Sequence, residues 1–216
     1  SGDNRYALLG SLRAASQMVS YEVTLGLSLG GCVLVYGSLR LEEMVLWQHA
    51  HTWGVLVQPL GFVLFLTAWI AESKRTPFDL PEGESEIVAV YFLEYSGMKV
   101  AAFFLGELME ITVLACFVTV FFFGGWDVPF LQADGLHLSL PMLGHKFLAM
   151  PHWSVVLLQV GSFGAKVCGL VFLQMAIRWT LPRMRYDQLM DLGWKAILPL
   201  SLANVVVTAV VLHALG

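Results

Sequence analysis

The sequence predicts an all-α polytopic membrane protein of about five transmembrane helices, with a long acidic loop between the second and third. Three observations carry this reading. Of the 216 residues, 57% are hydrophobic and 13% are charged, roughly half the charged share of an ordinary soluble domain. The apolar residues come in long blocks and lack the one-sided stripe of a surface helix. The remaining charge is densest in two stretches, 71–97 and 180–194.

Five blocks are long enough to span, approximately 14–39, 53–70, 98–123, 154–179 and 195–215. Each is close to the roughly 20 residues that cross a hydrocarbon core about 30 Å thick. Residues 1–216 read as a single membrane domain, and a start on Ser1 just ahead of a helix is read as the C-terminal part of a longer polypeptide. If 71–97 and 180–194 lie on the cytoplasmic or matrix side, that side holds Arg5, Arg13, Lys74, Arg75, Lys99, Arg178, Arg183, Arg185 and Lys195. The opposite side holds Arg40 and Lys146. That asymmetry is the positive-inside pattern, and it sets the N-terminus inside and the C-terminus outside. Trp53, Trp69, Trp126, Trp153, Trp179 and Trp194 fall near the predicted helix ends, as an interfacial aromatic belt requires.

Cys32, Cys116 and Cys168 lie within spans at no ligand spacing and read as small packing residues. His49, His51, His137, His145 and His152 are scattered, so no zinc, haem or iron–sulfur pattern emerges. A phosphate-binding Gly-rich loop and a hydrolase triad are likewise lacking. The expectation is that this chain holds no redox cofactor and no nucleic acid.

The informative residues are charges placed where charge is costly. Lys166 lies within "VGSFGAKVCGLVFL", Glu107 and Glu110 within "FFLGELMEITVL", and Glu22 within "SQMVSYEVTLGL". A lone charge at a helix centre costs about 2.5–3.5 kcal/mol on insertion scales, so such residues face protein or water and often mark ion pathways. Glu107 and Glu110 are three apart and share a helix face. Carboxyls that close oppose each other's ionisation, and a carboxyl poised between states can relay protons. One reading makes Glu22, Glu107, Glu110 and Lys166 an intramembrane proton path. The other makes Lys166 the neutralising partner of a glutamate across a helix interface.

The connection "ESKRTPFDLPEGESEIVAVYFLEYSG", 72–97, packs six carboxylates between apolar blocks. Pro77 and Pro81 fix its backbone, with Phe78 and Leu80 between them as apolar anchors. Glu82, Glu84 and Glu86 follow at alternate positions, then Glu94. Charge alone suits a solvated loop, but Ile87, Val88, Val90, Tyr91, Phe92 and Leu93 call for a crevice or a covering partner. Acids held against apolar walls suit proton handling. The second polar stretch, "RWTLPRMRYDQLMDLGWK", sets Arg178, Arg183 and Arg185 beside Tyr186, Asp187 and Asp191. Lipid headgroups account for its arginines, and its compact order suits docking of an acidic partner through bidentate arginines.

Several strings now align with one family: "ALLGSLRAASQMVSYEVTLGLSL", "AESKRTPFDLPEGESE", "EYSGMK", "FFLGE", "FFFGGW" and "RWTLPRMRYDQLMDLGWKAILPLSL". Together they resemble the heel membrane subunit of respiratory complex I, the proton-translocating NADH:quinone oxidoreductase, from about residue 4 to about residue 205. The resemblance implies the last five of eight or so helices, in an energy-transducing inner membrane of a bacterium or mitochondrion. It implies a quinone substrate, with FMN and iron–sulfur clusters in partner subunits. The expected neighbours are peripheral-arm quinone-site subunits, small membrane-arm subunits and the lipid bilayer. By this resemblance Arg75, Asp79, Glu82, Glu84, Glu86 and Glu94 match the quinone tunnel and funnel loop. Glu22 and Glu107 match the membrane acids, and Arg183, Arg185, Tyr186 and Asp187 match the loop facing the peripheral arm. Leu108 and Glu110 stand where the family commonly has Tyr and Asn. Two other readings compete. The related membrane component of an energy-converting hydrogenase needs no quinone, and a free-standing transporter calls for half-helices or an internal repeat that these spans lack.

Overall fold

The computed structural model describes residues 5–73, 77–78, 97–128, 131–132, 135–140, 144–149, 151–182 and 184–215. Its helices are α1 (Arg5–Tyr36), α2 (Leu41–Ala50), α3 (Gly54–Val57), α4 (Pro59–Glu72), α5 (Met98–Phe122), α6 (His152–Thr180), α7 (Tyr186–Asp191) and α8 (Leu198–Leu215). A π-helical turn, Leu192–Ile197, joins α7 to α8. Among the described residues, four helical stretches have the length and apolar character to cross a membrane: Leu8–Tyr36, Met98–Phe122, His152–Thr180 and Tyr186–Ala214. With the shorter apolar helix Pro59–Glu72, this is the architecture of a polytopic membrane protein.

The second expected span, 53–70, is broken. Gln58 has φ −131° and ψ 63°, and Pro59 opens α4 at its first turn. Proline fits there because the amide it lacks has no intrahelical partner. The first helix begins nine residues ahead of the expected 14, and the last stretch reaches back through the π-turn to Tyr186. One addition was not legible from hydropathy. Between α5 and α6, strands β1 (Leu131–Gln132), β2 (Gly135–Leu140) and β3 (Gly144–Ala149) form a small antiparallel sheet in the order β1-β2-β3.

Helix α1 is the centre of the bundle and packs most extensively against α4 and α8. Its buried stripe is small and polar: Gln17, Ser20, Thr24 and Ser28 recur at helical spacing, and α8 answers with Ser201, Asn204 and Thr208. Thr24 and Ser28 donate to their own helix, at the carbonyls of Tyr21 and Leu25. This lets backbones approach without leaving hydroxyls unmade, a common solution between membrane helices. At the break, Gln58 Nε2 donates to Thr208 Oγ1 at 2.6 Å and Asn204 Nδ2 donates to Gln58 Oε1 at 3.0 Å. Gly31 leaves room for this amide: a Cβ there would stand 2.6 Å from Gln58 Oε1 and would force the side chain to shift.

The ends of the bundle are told apart by their connections. Met184 N donates to the Pro77 carbonyl at 3.0 Å, so the connections after α4 and after α6 leave from the same end, here called the charged end. The far end carries α2 and the turn after α5. Trp69 departs from the expected belt: it is 0% exposed and belongs to the core with Phe65, Phe122 and Leu170. Trp153 and Trp179, at 67% and 83% exposed, have the exposure that belt residues need.

Candidate functional site

At the charged end, three stretches far apart in sequence are drawn together by buried hydrogen bonds. Gln17 on α1 is fully buried, and its Nε2 donates to the carbonyls of Ala71 at 2.8 Å and Phe78 at 3.1 Å. Tyr21, one turn further along α1, donates its hydroxyl to the Leu189 carbonyl at 2.8 Å and lies 6.2 Å from the Phe78 ring. Phe78 is buried among Tyr21, Leu189 and Ile197, so the first of the two expected anchors is in place; Leu80 lies outside the described residues. The hydroxyls of Tyr186 and Ser16 are 2.8 Å apart, and the Arg13 guanidinium lies 6.0 Å from the Tyr186 ring centroid. Trp194 Nε1 donates to Ser20 Oγ at 3.0 Å. Helix α6 joins through Gln174 Nε2, which donates to Ser73 Oγ at 2.9 Å. The exit of α4, the start of α7 and the polar face of α1 thus form one frame.

Of the expected loop residues, Arg75, Asp79, Glu82, Glu84, Glu86, Glu94 and Arg183 lie outside the described residues. Their root is described: the segment begins at Ser73 and passes Pro77 and Phe78 in the frame. Arg185 Nε pairs with Asp187 Oδ2 at 3.1 Å, both largely exposed, so this pair adds little to stability and leaves its charges at the surface. Glu22 follows Tyr21 and points away from the α1–α4–α8 core, exposed among Val19 and Val23. Glu107 and Glu110 are half-buried on α5.

Lys166 sits at the opposite end from this frame. It is the midpoint of α6 in sequence, but in space it meets the turn that follows α5. Its Nζ donates to the carbonyls of Phe123 at 2.8 Å, Gly125 at 3.1 Å and Asp127 at 2.6 Å, and lies 5.2 Å from the Trp53 ring centroid. All three carbonyls lie just beyond the end of α5, so Lys166 ties the turn that follows α5 to the middle of α6. Gln48 on α2 completes the far end: its Nε2 donates to the Val120 carbonyl at 2.8 Å, while its Oε1 accepts from Gly54 N at 3.0 Å and Gly124 N at 2.9 Å. Tyr36 donates to the Phe121 carbonyl at 2.6 Å, and His49 Nδ1 lies 2.6 Å from Asp127 Oδ1.

Sequence reasoning passed over Gln17, Ser16, Gln174 and Gln48. A signal for Gln17 existed, since Gln17 and Tyr21 are polar residues one turn apart inside an apolar block. Gln48 offered little, because two of its three partners lie 72 and 76 residues away. Among the described residues no group of His, Cys, Asp or Glu is arranged to hold a metal ion.

Comparison with known proteins gives a consistent result. A family model described as NADH dehydrogenase matches residues 1–209. An NADH-quinone oxidoreductase subunit of Bacillus thuringiensis is 44% identical over 211 residues, covering 98% of this chain and 56% of its own. The corresponding protein of Bdellovibrio bacteriovorus is 40% identical over 232 residues, covering 97% and 58%. That of Cytophaga hutchinsonii is 38% identical over 208 residues, covering 96% and 57%. The chain therefore spans a little over half the length of the curated relatives it matches.

Proposed function

The chain belongs to the NADH dehydrogenase family, and from that premise we propose that it serves a proton-translocating NADH:quinone oxidoreductase as its quinone-access membrane subunit. The charged end lines the route by which a quinone leaves the bilayer. Arg75, Asp79, Glu82, Glu84, Glu86 and Glu94 form the charged wall of that route. Glu22, Glu107 and Glu110 form an intramembrane proton path that couples to it; Lys166, the fourth residue expected on that path, takes the structural role instead, bonded to three carbonyls at the far end. Arg183, Arg185, Tyr186 and Asp187 face the peripheral arm, whose subunits hold FMN and the iron–sulfur clusters. The charged end then lies on the cytoplasmic or matrix side of an energy-transducing inner membrane, in keeping with the positive-inside distribution.

The observation that carries this reading is the frame itself. Gln17, Tyr21, Phe78 and Tyr186 tie three separate motifs into one rigid root. A loop that only connected two helices would need no such support. The acidic segment starts from this root at Pro77 and Phe78, and acids near a membrane boundary can couple binding to protonation. The relatives' shared description as subunits of an NADH-quinone oxidoreductase favours this reading over a hydrogenase counterpart.

The test is NADH oxidation in membranes carrying Glu82→Gln or Glu84→Gln, with a quinone and separately with a hydrophilic artificial acceptor. Quinone-dependent turnover should fall roughly tenfold, about 1.4 kcal/mol in activation free energy, while acceptor turnover and assembly persist. Unchanged quinone turnover in both variants would reduce the loop to a solvated connector.

A further inference from the structure

Helix α6 meets the rest of the chain along a narrow stripe. Of its 29 residues, Val155, Leu170 and Gln174 are the buried ones. Lys166, Leu170 and Gln174 recur at four-residue spacing, so they share one face of the helix. Each holds something different. Lys166 bonds the turn after α5, and Leu170 joins the core that contains Trp69. Gln174, one turn nearer the charged end, gives its Nε2 to Ser73 Oγ at 2.9 Å.

Ser73 is the residue on which α4 ends. Its backbone N–H donates to the Trp69 carbonyl at 2.9 Å and its hydroxyl to the Ile70 carbonyl at 3.2 Å. It thus closes a helix end whose last carbonyls lack intrahelical donors. A hydroxyl has a single proton to give. With Gln174 donating to the Ser73 oxygen, that proton is left for Ile70, and the exit of α4 is fixed from α6. Ser73 and Gln174 are 4% and 5% exposed, so water does not compete for the bond. Packing alone does not call for an amide at 174. Its Oε1 is buried with no hydrogen-bond partner among the described residues, which costs free energy. A methionine of similar length would fill the space without that cost. The amide is accounted for by what its nitrogen does. Gln174 is also the last buried residue of α6 before the connection to α7, and that connection returns to the acidic segment where Met184 N donates to the Pro77 carbonyl.

We infer that Gln174 is a positioning residue: acting through Ser73, it fixes the start of the acidic segment to α6, so that the segment and the connection between α6 and α7 keep one arrangement. The consequence for turnover rests on the quinone reading; the tie itself does not.

The experiment labels carboxylates of the assembled complex with a water-soluble carbodiimide and an amine, and reads Glu82, Glu84 and Glu86 by peptide mass spectrometry. Gln174→Met, which keeps the volume and loses the donor, should raise their labelling about threefold, the scale of a local opening. Ser73→Ala should do at least as much, and the double variant should match Ser73→Ala, since both changes remove the same bond. Asp127, 9% exposed at the far end, should stay protected throughout. In the same preparations the KM for quinone should rise about threefold with kcat and hydrophilic-acceptor turnover kept, the pattern of weakened binding with unaltered chemistry. Unchanged labelling in both single variants would overturn the inference. So would a double variant about threefold above Ser73→Ala, or labelling of Asp127 that rises in parallel. Raised labelling with an unchanged KM for quinone would uphold the tie and overturn the quinone reading of the segment.

Discussion

The two ends of this bundle use similar residues for different purposes. At the far end, the carbonyls of Val120, Phe121, Phe123, Gly125 and Asp127 each receive a hydrogen bond from Gln48, Tyr36 or Lys166. At the charged end, Gln17 and Tyr21 are buried and bonded, but the charges they support are largely exposed, as at Arg185 and Asp187. The lesson is that an intramembrane charge is read by its partners. Lys166 has the donor count and fixed acceptors of a structural tie, whereas Glu22 stands on an exposed face of α1.

The contrast meets its severest challenge at Lys166. Lys166→Met leaves three carbonyls without their donor, and each buried unmade group costs about 1–3 kcal/mol. The variant should lose about 2–4 kcal/mol, allowing for partial access of water. This reads as a lower melting temperature of the assembled complex, with quinone turnover per complex preserved. Loss of turnover at unchanged melting temperature would move Lys166 to the functional side.

A smaller effect is expected at Gln17, at the opposite end. Gln17→Leu frees the Ala71 and Phe78 carbonyls at the root of the acidic segment. The stability cost is about 1–2 kcal/mol, and quinone turnover should fall disproportionately to it. Proportional losses would make the frame purely structural. Smaller again is Tyr186→Phe, which removes one half-buried contact to Ser16 and should cost about 0.5–1 kcal/mol in a chemical melt.

The smallest effect is pH-dependent and belongs to the far end. The Ser38 hydroxyl and then the Arg40 guanidinium hold the Glu43 carboxyl below its usual range, with Arg40 Nη1 at 3.0 Å. A depressed carboxyl stabilises the fold above the ordinary carboxylate range, and that contribution is lost as pH falls through the lowered value. A slight acid weakening of the α2 start should therefore be seen by hydrogen exchange, and Glu43→Gln should abolish it.

Most of the fold was legible because lipid imposes a simple rule: long apolar blocks become helices. That rule placed α5 within one residue of the observed Met98–Phe122. It failed where local chemistry overrode hydropathy. Pro59 divides one apolar block into α3 and α4, and residues 131–149 contain a sheet that carries no spanning signal. The site was legible as motifs but not as a frame. The bonds that build it join residues 54 to 174 positions apart, and separations of that kind leave no periodicity to read. Trp69 shows the same limit, since its place near a helix end said nothing of which way it faced.

The decisive quantity is the ratio of quinone-dependent to hydrophilic-acceptor NADH oxidation, measured beside melting temperature in complexes carrying Glu84→Gln or Lys166→Met. Glu84→Gln should lower the ratio roughly tenfold and leave melting unchanged. Lys166→Met should lower melting and leave the ratio unchanged. The reverse pattern, a stable Lys166→Met complex with a lowered ratio beside a normal ratio in Glu84→Gln, would contradict the division of roles between the two ends.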